Sequence, residues 1–283
     1  MRFALVSDIH LECMDKPARL KNLVTSDAEV LILAGDIGHP SQDSYWELLQ
    51  DAADAFVHVF VVAGNHEYYA KDEAGRGLEQ AEVNRLMDEA AAAAGPNVSV
   101  LRRGRYVEVT EKINTDTDNE GDDVNTDSEY NLKTIKVLGC TLWTSGADEK
   151  ELEPGVTRVE DKIRDFKAIP GLTPKRYRAQ HEADRAWLKS QLQLDDCDVN
   201  LVVTHHLPTL LAHNPARMNS SKRFFYASDC EDLMAMADVW CCGHSHYKTE
   251  IQLNGCMLYN NPLGRPGEKE VARLYDPNFN EEA

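Results

Sequence analysis

Five short blocks of this sequence place metal-binding or acid–base side chains directly after an apolar run. Asp8 and His10 close LVSDIH, and Asp36 follows LILAG. Asn65 and His66 follow FVVAG, His205 and His206 follow NLVVT, and His244 and His246 follow VWCCG. Carboxylate, carboxamide and imidazole are oxygen and nitrogen donors, and without thiolate they suit Mn²⁺, Fe or Zn²⁺ in a reactive centre better than a structural zinc site. Manganese is the favoured cofactor. Any one block is ordinary turn chemistry, but five at the ends of five strands form a pattern. Asp8 and His10 are two residues apart, as are His244 and His246. On extended backbone each pair would point to one side and reach one ion. The set exceeds the needs of a single ion. Two divalent ions sharing one carboxylate, Asp36, are therefore expected. Gly35, Gly64 and Gly243 permit the sharp exit from strand to loop. Two consecutive histidines after a strand diverge, so His205, nearer the strand end, is expected to bind metal and His206 to face substrate or pack.

Positioning these groups requires strands that end together. RFALVS, VLILAG and FVHVFVVAG read as buried strands, with PARLKNLVTS and SQDSYWELLQDAADA between them at helical spacing. Ser41 or Asp43 is the expected cap of the second of these helices. Alternating strands and helices predict a largely parallel sheet covered by helices, with ligands outside the carboxyl ends of the strands. A helix over 78–94 stops at GPN, and strand-rich sequence follows. TPKRYRAQHEADRAWLKSQLQL is expected to be helical with Tyr177, Ala183, Trp187 and Leu188 inward. VNLVVTH and VWCCGH are further strands, SDCEDLMAMA is a capped helix, and TEIQLNGCMLYNNP is a hairpin turning at LNG. His58, His181 and His213 fall outside the motifs and are expected on the surface or in the core.

No repeat or linker divides the chain, so residues 1–283 are expected to form a single domain. An acidic, polar insert at about 111–131 has too few apolar groups to order itself and reads as a mobile hairpin loop; calcium or partner binding is its functional alternative. The chain has 283 residues, a formal net charge of -18 and 42% hydrophobic content, which allows a large core and disfavours broad binding to long nucleic acid. Seven cysteines without a Cys-x-x-Cys pair suit a reduced compartment. MRFALVSDIH reaches charge too early for a signal peptide, and no apolar run nears the ~20 residues needed to span a bilayer. A soluble cytoplasmic protein is expected, with no membrane partner and an oligomeric state that the sequence leaves open.

Taken in order, DIH, GD, GNHE, THH and GHSH resemble the five signature blocks of calcineurin-like metallophosphoesterases, over Asp8 to His246. The resemblance implies a four-layer αββα sandwich with two mixed β-sheets and a dinuclear metal centre. It implies Asp8, His10 and His246 on one ion, Asn65, His205 and His244 on the other, and Asp36 between them. His66 corresponds to the non-ligand histidine near the leaving group. The implied reaction is attack of a metal-bridging hydroxide on phosphorus, with Asn65 and His66 stabilising charge and His66, protonated, donating to the departing alkoxide. Glu67 is expected to hold a loop or a backbone amide and to bind no metal. The second block departs from the Gly-Asp-x-x-Asp-Arg-Gly of protein serine/threonine phosphatases. Here it reads GDIGHPS, and His39 stands where an aspartate would orient the catalytic histidine. That argues against a protein phosphatase and leaves the partner of His66 open.

The expected function is metal-dependent hydrolysis of a small phosphomonoester or phosphodiester, nucleotides among the candidates. The alternative is a protein-binding scaffold that kept the fold and lost catalysis, although scaffolds tend to lose the complete ligand set present here. Arg265, Arg217, Lys222 and Arg223 are candidate contacts for a second phosphate, with plain surface placement as the alternative reading.

Overall fold

The computed structural model describes residues 1–114, 130–146 and 162–283. Two sheets face each other. The first has the order β11-β1-β2-β3-β4, with β1 Arg2–Val6, β2 Val30–Leu33, β3 His58–Val61, β4 Val98–Val100 and β11 Glu281–Glu282. Its first four strands run parallel, and β11 pairs antiparallel with β1. The second has the order β5-β6-β7-β8-β10-β9, with β5 Tyr106–Asn114, β6 Tyr130–Cys140, β7 Val199–Thr204, β8 Val239–Cys242, β9 Thr249–Leu253 and β10 Cys256–Asn260. There β6, β7, β8 and β10 are parallel, and β5 and β9 are antiparallel edges. Both sheets are mixed.

The period-two alternation of the strands sorts side chains into layers. Leu31, Leu33, Val59 and Val61 face helices α1 (Asp43–Ala55) and α2 (Gln80–Ala94). Val30, Ile32 and Phe60 face the other way and pack between the sheets on Ile135, Val137, Leu201 and Val203. Leu138, Val202 and Trp240, on the far side of the second sheet, pack on α4 (Pro174–Leu192) and α5 (Glu231–Met234). The layers run helix, sheet, sheet, helix. Among the described residues, short helices α3 (Asp165–Ala168) and α6 (Lys269–Leu274) complete the α-helices, and several 3-10 turns lie between elements.

Several local expectations are corrected. PARLKNLVTS forms one 3-10 turn, Leu20–Asn22, rather than a helix. Burying Leu20 and Leu23 beside α1 needs no more than that turn, and so short a segment cannot sustain a helix alone. The residue at the start of α1 is Gln42, with no side-chain cap from Ser41 or Asp43. In α4 the buried face is Tyr177, His181, Asp184, Leu188 and Leu192, while Ala183 and Trp187 lie half-buried at its margin. The β9–β10 hairpin turns at Asn254 and Gly255, both at positive φ (53° and 90°), as a primed two-residue turn requires. The expected acidic insert at 111–131 lies for the most part outside the described residues, between β5 and β6. No described helix is long and apolar enough to cross a membrane.

Candidate metal centre

Strands β1, β2 and β3 of one sheet and β7 and β8 of the other release their carboxyl ends toward the same place. The loops continue the pairing of the strands: Asp8 N–H donates to Gly35 O (3.0 Å), and His10 N–H to Asp36 O (2.9 Å). Asp8 then ties the sheets together, because its carboxylate accepts the His244 N–H at 3.0 and 3.1 Å and the Ser7 hydroxyl at 2.6 Å. The backbone here is not extended. Asp8, His10, Asp36, His244 and His246 all have positive φ (54°, 54°, 53°, 68° and 49°). Asp8 and His10 therefore converge through two left-handed turns, which corrects the expectation of an extended pair. Left-handed backbone is rare for residues other than glycine and costs each about 1–2 kcal/mol. Gly35 (φ +82°) and Gly64 leave no space for a side chain. A Cβ at 64 would stand 2.2 Å from Asp36 Oδ1, and one at 35 would stand 2.5 Å from His205 Nδ1.

The side chains form two facing groups. His246 Nε2 lies 3.3 Å from Asp8 Oδ1 and 3.1 Å from His10 Nε2, which is 3.7 Å from Asp36 Oδ2. His205 Nε2 lies 3.3 Å from Asp36 Oδ1, 3.3 Å from Asn65 Oδ1 and 3.2 Å from His244 Nδ1. Asp36 belongs to both groups. Each of the four histidines spends its other ring nitrogen on an acceptor: His10 Nδ1 on Glu12 (3.0 Å), His246 Nδ1 on Glu268, His205 Nδ1 on Ala34 O (2.9 Å) and His244 Nε2 on Phe225 O (3.2 Å). A carboxylate or carbonyl oxygen can only accept, so those nitrogens carry the hydrogens. The nitrogens left over, once deprotonated, present lone pairs to one another and to the oxygens of Asp8, Asp36 and Asn65. Lone pairs 3.1–3.3 Å apart call for positive charge between them. The donor set therefore fits a divalent cation in each group.

The electrostatics agree. Burial alone would lower the histidine values, yet Asp36 carries His205 up to about 9, and Asp8 with Glu268 carries His246 up to about 10. Burial works against ionised Asp36, but the surrounding histidines hold its carboxyl well below the usual range. Burial and the neighbouring histidines push His244 the other way, well below the imidazole range, so the pull for positive charge centres on Asp8 and Asp36.

Around these groups lies a ring of orienting side chains. Glu67, fully buried, accepts the backbone N–H groups of Asp36 (3.0 Å), Ile37 (2.7 Å) and Gly64 (2.8 Å), locking two ligand loops together. Burial and the nearby Asp36 push its carboxyl up to about 8, against the pull of those donors. Asp165 on α3 accepts the Asn65 Nδ2–H (2.9 Å) and the Tyr69 hydroxyl, which turns Asn65 Oδ1 toward His205. Glu12 serves two histidines with one oxygen: His10 Nδ1 at 3.0 Å and His66 Nδ1 at 2.8 Å. Burial opposes its charge, but these hydrogen bonds keep its carboxyl below the usual carboxylate range.

Sequence reading left the partner of His66 open, and Glu12 fills that place. His66 stands outside both groups, against the rings of His10 and Tyr69, with centroids 4.5 and 4.4 Å away. Its backbone N–H donates to Asp36 Oδ1 (2.8 Å), and its Nε2 accepts from the Arg265 guanidinium (2.7 Å). The Arg265 contact thus occupies Nε2, the ring nitrogen that faces the cavity, while Glu12 holds Nδ1 from behind.

Glu12, Asp165, Arg265 and Glu268 were not placed in this way by sequence reading. Glu12 has a signal, two residues after His10 in one block. Glu268 and Arg265 share the segment RPGE, and Asp165 has no signal. His206 gives its Nδ1–H to Thr141 O (3.1 Å) and packs its ring against His244 (centroids 4.2 Å apart) and Trp143 (5.4 Å). His39 lines a neighbouring cleft with Glu12 and His66. His181 is a core residue bonded to Trp143 O, His213 is buried against Tyr226, and His58 is half-buried beside Phe60. The cavity over the two groups has a volume of about 260 Å³, and its mouth carries Lys162, Arg164, Arg217, Lys222 and Arg265. Arg223 is not in that lining and lies over the Phe224 ring (4.2 Å).

Residues 1–248 match the family described as calcineurin-like phosphoesterase. An uncharacterized protein of Acanthamoeba polyphaga mimivirus is 25% identical over 296 aligned residues, covering 95% of this chain and 93% of that one. The crystal structure of a phosphopantetheinyl hydrolase from Mycobacterium tuberculosis superposes with a TM-score of 0.65 at 17% identity, covering 99% of this chain and 95% of that one. At that identity the likeness speaks to the fold alone.

Proposed function

This chain belongs to the calcineurin-like phosphoesterase family, and from that premise we propose that it hydrolyses small phosphomonoesters or phosphodiesters, nucleotides among them, with two divalent ions. Asp8, His10 and His246 would hold one ion, Asn65, His205 and His244 the other, and Asp36 would touch both. Manganese suits this oxygen and imidazole set. The observation that carries the reading is the pair of donor groups whose lone pairs face inward while every ligand histidine is pinned from behind.

Bound divalent ions would supply a water acidified to near neutrality and would draw charge from phosphoryl oxygens. The chain's own residues do the rest. Asp36, Asn65 and the four histidines fix the geometry, and their loops are locked by Glu67 and Asp165. Glu12 holds the His66 ring with Nε2 toward the cavity, where that nitrogen can carry a proton beside a leaving oxygen. The small volume and cationic mouth suit a compact anion, and the net charge of -18 disfavours a long nucleic acid.

Elemental analysis should find about two transition-metal ions per chain. Hydrolysis would be measured with added Mn²⁺ on p-nitrophenyl phosphate, bis-p-nitrophenyl phosphate, cyclic nucleotides and a phosphopantetheine ester, the last because a structural neighbour is named for it. Protein that takes up no metal and cleaves none of these would refute the proposal.

A further inference from the structure

The family match ends at residue 248, yet a later segment closes the site. Leu263 N–H donates to Ser7 O and Gly264 N–H to Asp8 O, both at 3.0 Å, so this stretch is fastened to the loop that carries two ligands. From there Glu268 accepts the His246 Nδ1–H and also the Arg265 backbone N–H (3.0 Å). The Arg265 side chain turns inward and donates to His66 Nε2 (2.7 Å). Its Nε–H is buried without a partner, and among the described residues no carboxylate comes within ion-pair distance of it. A guanidinium carries five donors in a planar fork that matches the oxygens of a phosphate. Here the fork rests on one imidazole nitrogen, in the cavity that Asp36, Asn65, His244 and His246 also line.

We propose that Arg265 is a substrate-binding residue that grips terminal phosphoryl oxygens and biases the site toward phosphomonoesters. The inference rests on the phosphohydrolase reading above. A phosphomonoester presents three terminal oxygens and up to two negative charges, whereas a diester presents two oxygens and one charge. A cationic fork therefore gains more from the monoester. As the guanidinium moves onto the phosphoryl group it releases His66 Nε2, leaving that nitrogen available at the leaving oxygen. Glu268 sets the position of the arginine through its backbone and steadies His246 at the same time.

The test uses the metal-loaded full chain and the variants Arg265→Gln and Arg265→Lys. The readouts are kcat/KM on p-nitrophenyl phosphate and on bis-p-nitrophenyl phosphate, inhibition by inorganic phosphate, and metal content. Arg265→Gln should keep its metal and lose about 10–100-fold on the monoester, with a matching loss of phosphate affinity. Its loss on the diester should be at least about tenfold smaller. Arg265→Lys should recover part of the loss, since it keeps the charge without the fork. Equal losses on both esters, no loss on either, or missing metal in both variants overturns the role of Arg265 while leaving the hydrolase reading in place. A wild-type chain that cleaves neither ester and is blind to phosphate removes both.

Discussion

Replacing Glu12 by glutamine tests whether one oxygen couples metal binding to catalysis. Glu12 Oε1 takes the Nδ1–H groups of His10 (3.0 Å) and His66 (2.8 Å), and the side chain is only 7% exposed. Glutamine is nearly the same shape but uncharged. Charge-assisted hydrogen bonds contribute about 1.5–3 kcal/mol and neutral ones about 0.5–1.5, so each bond should weaken by roughly 1 kcal/mol. Through His10 the change reduces ligand basicity, and metal affinity should fall about 10–100-fold, the range for partners behind a ligand histidine. Through His66 it frees the ring, and kcat at saturating metal should fall about tenfold or more. Calorimetric titration with Mn²⁺ reads the first effect, and turnover at saturating Mn²⁺ reads the second. Repeating both in a His66→Asn background separates them. There Glu12→Gln should still weaken metal binding but should no longer lower kcat. A Glu12→Gln chain within twofold of wild type on both measures, or one whose kcat loss survives intact without His66, refutes the coupling.

Other substitutions probe the frame. Gly64→Ala places a methyl group 2.2 Å from Asp36 Oδ1 and 2.5 Å from Asp36 N, so it should destabilise by about 1–3 kcal/mol or more and lower metal content; an unchanged Tm and full metal loading would contradict this. Glu67→Gln offers one carbonyl oxygen where three backbone N–H groups now find two carboxylate oxygens, and a stranded donor should cost about 1–3 kcal/mol in denaturant unfolding. Asp184 supplies a pH test away from the metal centre. Burial pushes its carboxyl up to about 7 despite the Arg103 contact at 2.9 Å. The folded chain thus holds this proton more tightly than the unfolded chain. That stability is present below the ordinary carboxylate range and is lost as pH rises through about 7. Asp184→Asn cannot ionise, so its Tm relative to wild type should climb between about pH 4 and 7 and then level off, a difference on the order of a few kcal/mol. A flat difference would show that Arg103 already compensates the charge.

The convergence of Asp8, His10, Asp36, Asn65, His205, His244 and His246 was legible because each follows an apolar strand, and parallel strands must end on one side. The layered architecture was legible for the same reason. The conformations that deliver those groups were not. Apolar spacing reports which face is buried, and nothing in Asp8 or His246 announces a left-handed backbone. The orienting carboxylates were hidden by composition: among 48 acidic residues, Glu12, Asp165 and Glu268 look like surface charge until the fold places them behind histidines or an asparagine. PARLKNLVTS misled because two leucines one turn apart satisfy helical spacing without requiring a helix.

Five residues of the donor set sit where L-amino acids resist sitting. The sequence that folds best and the sequence that works best must therefore part company at these positions. A library of this chain selected only for thermal endurance, with chelator present, would be drawn to glycine or asparagine at 8, 10, 36, 244 and 246. The winners would be sturdier and inert. Selecting in the presence of metal should reverse that drift, since occupancy by a tightly held ion rewards the strained side chains.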